Sequence, residues 1–453
     1  METKALADFT SALAFPKLSG HSVEMAKRCM LDWLGIAIRG SREKSSGIIR
    51  ETVLDGAQKA TVFSGESLKT SVPNAAFCNG AASHSLDFDD LHNPSIIHLA
   101  CVVVPPVFAI AEAEHKNGKA MIAAVCAGYE AGGRVGESVI PESYFFWHTT
   151  GTAGTFGAAT AAANLLGLDA EQTLNCYGSA GTQAAGLWEF LKEGAMSKVL
   201  HAGKSAYAGV LSAYLSQKGF TGASQILEGE KGFCRAMVKE PHLEKLTEGL
   251  GAGRLKIDDN SFKPYACCKH SHAALYAIQT LRGEHDLKPE DVAQVKLYVN
   301  EITNYLINNP APQNPYGCKF SIQYCAAAML KNGVVGIEEF EPEAISDAVV
   351  RDLMGRTEVI LDAEMEKVHA ENPAKLASKV ELVLKDGRSL ERQVDFPKGD
   401  PENPLTWEEA KAKFLHLATP VYGEEKSEKL CKLVEHLEKS DDFSKDLTAC
   451  LSD

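Results

Sequence analysis

The chain has 453 residues, which at roughly 150 residues per domain allows two or three domains, or one large domain with an insert. With 46 Lys plus Arg against 60 Asp plus Glu the formal charge is −14 and there is no basic run, so nucleic acid and anionic membrane are poor partners. At 45% hydrophobic and 23% charged residues, the composition excludes a largely disordered chain.

The N-terminus lacks the long apolar run and cleavage site of a secretory signal, so a cytoplasmic location is expected. Apolar residues from Ala26 to Ala37 recur at helical spacing, which predicts an amphipathic helix capped by Ser22 and stopped by Gly40. From Pro73 to about Leu215 the chain is rich in small apolar residues, and helices apolar on most faces must be buried on most faces. The most apolar stretch, Leu99 to Ala111, falls short of the roughly 20 residues of a bilayer span and contains Pro105 and Pro106, so it reads as one or two core helices.

The character changes near Arg254. Val292 to Val299 alternates and is β-branched, Thr357 to Leu361 is short and strand-like, and Lys379 to Leu384 joins Ser389 to Val394 through a turn containing Asp386-Gly387. Helical patterns at His270 to Leu281 and Ile322 to Lys331 lie between these strands. Thr406 then caps a helix from Trp407 to Leu417 that is expected to pack back on the first domain. The fold class is therefore mainly α. A large helical domain (1–257) is interrupted by a smaller α/β lid (258–396) and completed by C-terminal helices (397–453).

Twelve cysteines are scattered through apolar patterns with no Cys-x-x-Cys pair, which disfavours structural zinc and iron–sulfur clusters. They read as buried free thiols of a reducing compartment, with Cys267 and Cys268 the pair whose reactivity merits a check. No Gly-x-Ser-x-Gly elbow, Walker A loop or His-Glu-x-x-His motif occurs.

Five clusters could carry chemistry. His84-Ser-Leu-Asp87-Phe-Asp89-Asp90-Leu-His92, followed by His98, has three readings: a capping turn, a divalent metal site, or an active-site loop in which a carboxylate orients one imidazole and another meets the substrate. In the second, His148 precedes Thr149-Thr150-Gly151 and glycines at 154 and 157. Glycines 151, 154 and 157 are spaced for one face of a tightly packed helix, and Thr149 or Thr150 as N-cap would aim backbone N–H groups beside His148. The third runs from Ser197-Lys198 through His201 to Lys204, the fourth joins Phe262-Lys263-Pro264-Tyr265 to Cys268-Lys269-His270, and the fifth is Ser321-Ile-Gln-Tyr324. Taken alone, the lysines read as surface charges and Tyr324 as core.

Together, Asn79 to Asp90, His148 with Gly151-Thr-Ala-Gly-Thr-Phe-Gly, Ser197-Lys198-Val-Leu-His201-Ala-Gly, Phe262-Lys263-Pro264-Tyr265 and Ser321 to Tyr324 resemble the MmgE/PrpD family. That family includes 2-methylcitrate dehydratase, cis-aconitate decarboxylase and iminodisuccinate epimerase. The resemblance implies a helical domain with an α/β lid, a site in the cleft between them, a homodimer formed through the helical part, and no metal or other cofactor. It implies Asp87, His98, His148, Lys198, Lys263 and Tyr324 as site residues; of these His148, Asp87, Lys263 and Tyr324 are expected to be catalytic, and His98 and Lys198, with His201 and Thr149 beside them, to bind substrate. The first loop departs from the family pattern, since Leu91 follows Asp90 where a hydroxyl residue is customary and Leu99-Ala100 replaces Pro-Ser after His98.

The leading expectation is a cofactor-independent hydro-lyase acting on a small di- or tricarboxylate. Lys198, Lys263 and His98 would bind its carboxylates, and His148, with an ordinary pKa near 6.5, would move the proton. An epimerase of an iminodisuccinate-like dicarboxylate, a cis-aconitate-type decarboxylase and a carboxylate-binding protein without turnover are the alternatives.

Overall fold

The computed structural model describes residues 1–372 and 375–452, and its chain divides into two compact units. The first comprises Met1–Ser85, Asp89–Ser261 and the chain from Thr406 onward; the second comprises Leu86–Phe88 and Phe262–Leu405. The chain thus changes unit at Ser261/Phe262 and Leu405/Thr406, somewhat later than the composition shift at 257/258 and the proline-marked return at 396/397. Local pairing explains both offsets. Leu91–His92 pairs antiparallel with Asn260–Ser261 and holds the latter in the first unit. In the second, Gly399 accepts from Phe262 N at 2.8 Å and Asp400 pairs with Lys269 at 2.6 Å.

The first unit is almost entirely helical. Its first long helix, Gly20–Gly40, is capped by Ser19 and not by Ser22: the Ser19 hydroxyl accepts from Ser22 N at 2.9 Å, so the helix starts earlier than its apolar periodicity suggests. Leu99 to Ala111 resolves as a single buried helix, Ala100–Ala113, that accommodates both prolines. Glycine lets helices Gly118–Glu137 and Ala153–Leu166 touch by their backbones, since a Cβ on Gly128 would lie 2.9 Å from the Gly157 carbonyl. The last long helical segment, Trp407–Glu435, begins in a capping box between Thr406 and Glu409 and breaks at Gly423. It packs on helix Gly20–Gly40, where Phe414 stands against Gly35 and Lys413 pairs with buried Asp32 at 2.6 Å. Among the described residues, no helix is long and apolar enough to cross a membrane.

The second unit holds a four-stranded sheet in the order Thr357–Leu361, Val292–Val299, Ser378–Leu384, Ser389–Val394. The first pair is parallel and the other two are antiparallel. A register shift between Val292 and Gln294 lets Val292 and Val295 both face inward before strict alternation resumes with Leu297 and Val299. Helix His272–His285 packs on the hairpin strands and on helix Ile322–Asn332, and the residues left inward, Val380, Leu382, Leu275 and Ile278, are fully buried. All twelve cysteines are free and buried, and burial pushes the Cys268 thiol up to about 12, which makes it inert at neutral pH.

Candidate active site

In the first unit the small-residue helix Val72–Ser83 ends at His84, whose N–H donates to the Ala81 carbonyl. The chain then turns, and its imidazole Nδ1 lies 2.6 Å from Asp89 Oδ2. The same oxygen is 3.3 Å from Nδ1 of His98, so one buried carboxylate serves two imidazoles. Burial would raise the Asp89 carboxyl, but His98 and His84 outweigh it and hold it well below the usual carboxylate range. Burial pulls His84 down to about 4, against the pull of Asp89 and with help from Lys198.

His148 is 1% exposed, and its ring contacts two others: His84 stacked at 5.3 Å with 20° between planes, and Trp188 tilted at 4.6 Å. Main-chain bonds fix that placement, with His148 N donating to Gly186 O at 2.9 Å and Trp188 N to Phe146 O at 3.1 Å. Its Nδ1 lies 3.1 Å from Nδ1 of His201. Burial, and then His84, Lys198, His201 and His98, keep His148 well below an ordinary imidazole. This corrects the expectation of a pKa near 6.5: the ring is neutral at pH 7. His201 is likewise lowered to about 4, by burial, Lys204 and Lys198.

Lys198 and His201 lie one turn apart at the start of helix Ser197–Gln217. Lys198 is only 8% exposed, so it is not a snorkelling surface charge, and a cation at the positive end of a helix does nothing for helix stability. Its charge is felt by His84, His148 and His201.

The threonines have other duties than the capping predicted for them. The helix after His148 starts at Ala153, with Thr152 at its N-cap and no side-chain cap bond. Thr149 Oγ1 instead donates to the Ile96 carbonyl, and Thr150 Oγ1 accepts from His98 N at 3.2 Å. Together they tie the loop that carries His98 to the loop that carries His148.

Asp90 closes the first of these loops. Its carboxylate accepts from Ala100 N at 3.1 Å and from the Tyr129 hydroxyl at 2.6 Å. Burial raises it to about 7, against the Tyr129 hydrogen bond and with the help of Asp89 and Asp32.

The remaining predicted residues belong to the second unit. Asp87, in a left-handed turn at φ 55°, faces Lys263, whose Nζ lies 3.2 Å from its Oδ2 and donates to its carbonyl at 3.1 Å. Lys319 donates to the Leu86 carbonyl. Tyr324, 1% exposed, donates its hydroxyl to the Glu339 carbonyl, and burial raises its pKa well above an ordinary phenol.

The structure thus gathers His98, His148, Lys198 and His201 into one cluster with His84 and Asp89, and sets Asp87 with Lys263 in another. Sequence reasoning placed His84 and Asp89 in a candidate active-site loop without giving either a role, and it did not name Trp188. The alternation of His and Asp between 84 and 98 was a signal for the first two, and Trp188 carried none. Among the described residues, His84, Asp89 and His98 each bring a polar atom within 4.8 Å of the others. Within this group the His84 to Asp89 contact of 2.6 Å is a hydrogen bond, which a cation placed between those two atoms would displace, and no metal ligand is assigned.

Two family models cover most of the chain: the MmgE/PrpD N-terminal domain matches residues 4–246 and the MmgE/PrpD C-terminal domain residues 265–439. The chain belongs to the MmgE/PrpD family. Among curated MmgE/PrpD-like relatives, it is 27% identical to a human protein named cis-aconitate decarboxylase, over 98% of this chain and 93% of the relative. It is 26% identical to the Aspergillus terreus cis-aconitate decarboxylase, over 98% and 94% of the two chains. A cis-aconitate decarboxylase-like protein, oryM, of Aspergillus oryzae is also 26% identical, over 99% and 97%. These similarities run end to end, so both units of this MmgE/PrpD chain have counterparts in the relatives.

Proposed function

We propose that this protein is a lyase that acts on a small di- or tricarboxylate by proton transfer next to a carboxylate, and that it decarboxylates a cis-aconitate-like substrate. The observation that carries the reading is the group of four imidazoles, buried His84 and His148 with half-buried His98 and His201, beside Lys198 and with Asp89 as the carboxylate facing two of them. Neutral imidazoles near a buried ammonium suit a polyanion, because each can take up a proton as negative charge arrives. In decarboxylation the bond to the departing CO2 breaks, its electron pair stays on carbon, and His148 delivers a proton to that carbon. Lys198 and His98 offset the charge that develops on the remaining carboxylates. The names of the three relatives move the preference from dehydration to decarboxylation.

The hydro-lyase reading is kept as second because dehydration needs a base for the α-proton and an acid for the departing hydroxyl. The His84–Asp89–His98 group, in ring contact with His148, supplies a second proton-carrying centre. The test is to incubate the pure protein with cis-aconitate, citrate, 2-methylcitrate, tartrate and iminodisuccinate in D2O and follow products by proton NMR. CO2 release with a retained vinylic signal is the expected result. A new vinylic signal from citrate or 2-methylcitrate would move the assignment to a dehydratase, and deuterium exchange without net change to an epimerase. Turnover is expected to survive exhaustive chelation; its abolition would reopen the metal reading of the 84–98 loop.

A further inference from the structure

An imidazole has two nitrogens, and in His148 one is already committed. Its Nδ1 faces Nδ1 of His201 at 3.1 Å, which leaves Nε2 as the only ring atom through which it can exchange a proton with anything else. The ring contacts His84, stacked at 5.3 Å, and Trp188, tilted at 4.6 Å, and both contacts oppose its turning over. His201 is held as firmly. A Cβ added to Gly151 would lie 3.1 Å from its Cβ, and one added to Gly186 would lie 3.2 Å from its ring, so two glycines form the slot it occupies. Gly151, read from the sequence as part of a helix face, lies before the helix and makes room for this side chain.

We propose that His201 is a positioning residue for His148: its Nδ1 accepts the Nδ1 proton of His148, so that Nε2 is presented as the proton-transfer atom. The direction of that bond follows from the chemistry required of the pair. To protonate carbon, His148 must first become an imidazolium, with a proton on each nitrogen, and the Nδ1 proton then needs an acceptor. Buried catalytic histidines commonly find a carboxylate there, whereas here the acceptor is a neutral ring. The charged and titratable groups around His148 are His84, His98, Lys198 and His201, with Lys204 beside His201 and the Asp89 carboxylate behind His84 and His98, so two ammonium groups stand against one carboxylate. A neutral acceptor leaves that set net positive for a substrate with several carboxylates, which a carboxylate at position 201 would partly cancel. One proton enters from solvent at Nε2 as the polyanion binds. It leaves on carbon when CO2 departs, and the pair returns to its starting tautomers.

The test uses the full chain labelled with 15N. Two-bond proton–nitrogen correlations are expected to show His148 as the Nδ1–H tautomer and His201 as the Nε2–H tautomer at pH 7.5; His148 as Nε2–H would overturn the proposal. With cis-aconitate, His201→Leu is expected to lower kcat about 10- to 100-fold with little change in KM, as for loss of a supporting hydrogen-bond partner. The alkaline limb of its kcat profile, where the His148 imidazolium is lost, should move to lower pH, because the imidazolium loses its acceptor. His201→Asn, whose side-chain oxygen can occupy the Nδ1 position, should recover most of the rate, and His201→Asp should raise KM more than it changes kcat. Equal losses in the Leu and Asn variants, with no shift of the profile, would reduce His201 to a packing residue. The inference rests on the lyase reading for its substrate and for the direction assigned to the His148–His201 bond, which the tautomer measurement reads independently of any substrate. If the unaltered chain does not act on cis-aconitate, that reading fails, and the tautomer measurement still decides this one.

Discussion

The imidazole cluster of the first unit and the lysine pairs of the second bury titratable groups by opposite means. Around His148, burial is met by giving up charge: His84 and His201 fall to about 4 and His148 well below its usual value. Around Lys263, burial is met by pairing: Lys263 with Asp87, Lys269 with Asp400, and Lys319 with a main-chain carbonyl. A paired charge holds shape, because its field is spent on a neighbour. A neutral imidazole keeps a lone pair and can answer an incoming anion by taking a proton. The first arrangement is suited to chemistry and the second to geometry.

The sharpest way to break this contrast is His148→Ala. Loss of a general acid lowers turnover by about 10²–10⁴, read as kcat on the best substrate of the NMR survey, and an unchanged kcat would make the cluster a packing feature. Next is Lys263→Met, which removes the ammonium facing buried Asp87. Breaking a buried pair from one side costs about 3–5 kcal/mol, measurable by denaturant unfolding, and Asp87→Leu in the same chain should return most of it. A loss of activity without loss of stability would instead make Lys263 part of the chemistry.

A smaller, graded effect is expected from pH. His84, His201 and His270 have folded values near 4 against about 6.5 for an unfolded imidazole. Between those values the unfolded chain binds more protons, so stability falls as pH drops from about 6.5 toward 4. Asp90, raised to about 7, acts in the opposite sense across the whole of that window, but it is one group against several. Melting temperatures from pH 7.5 to 5 should decline, and a flat profile would mean that the imidazoles are not held neutral. The smallest effect is Ser19→Ala, which removes a helix cap and should cost about 1 kcal/mol in thermal or chemical unfolding.

Much of the fold was legible because it is written in periodicity. Val292–Val299 and Thr357–Leu361 come out as read, and the Asp386-Gly387 turn joins the two strands predicted around it, because alternating β-branched residues and a turn residue at φ 90° leave few options. The cap of the first long helix was misassigned because Ser19 and Ser22 both satisfy the residue preference, and only geometry decides which hydroxyl meets the free N–H. The site was legible as a neighbourhood but not as a set of pairs. Asp87, Asp89 and Asp90 are chemically alike and adjacent in sequence, yet one faces a lysine, one two imidazoles and one a tyrosine. The left-handed turn at Asp87 sorts them, and nothing in residue type announces it. Likewise the meeting of His148 and His201 spans 53 positions and depends on two glycines whose role appears only when the rings are in place.

The three residues Leu86–Phe88 belong to the second unit although the chain on both sides belongs to the first. This makes the order of synthesis matter. Asp87 emerges from the ribosome 176 residues ahead of the lysine it faces, and the helix from Trp407 that packs on Gly20–Gly40 emerges after the whole second unit. Neither unit is therefore a segment that can be excised at two cuts. A fragment spanning 262–405 would carry Lys263 and Lys319 without the Asp87 carboxylate and the Leu86 carbonyl that receive them, and a nascent chain stopped before residue 406 would lack the helix that covers Gly35.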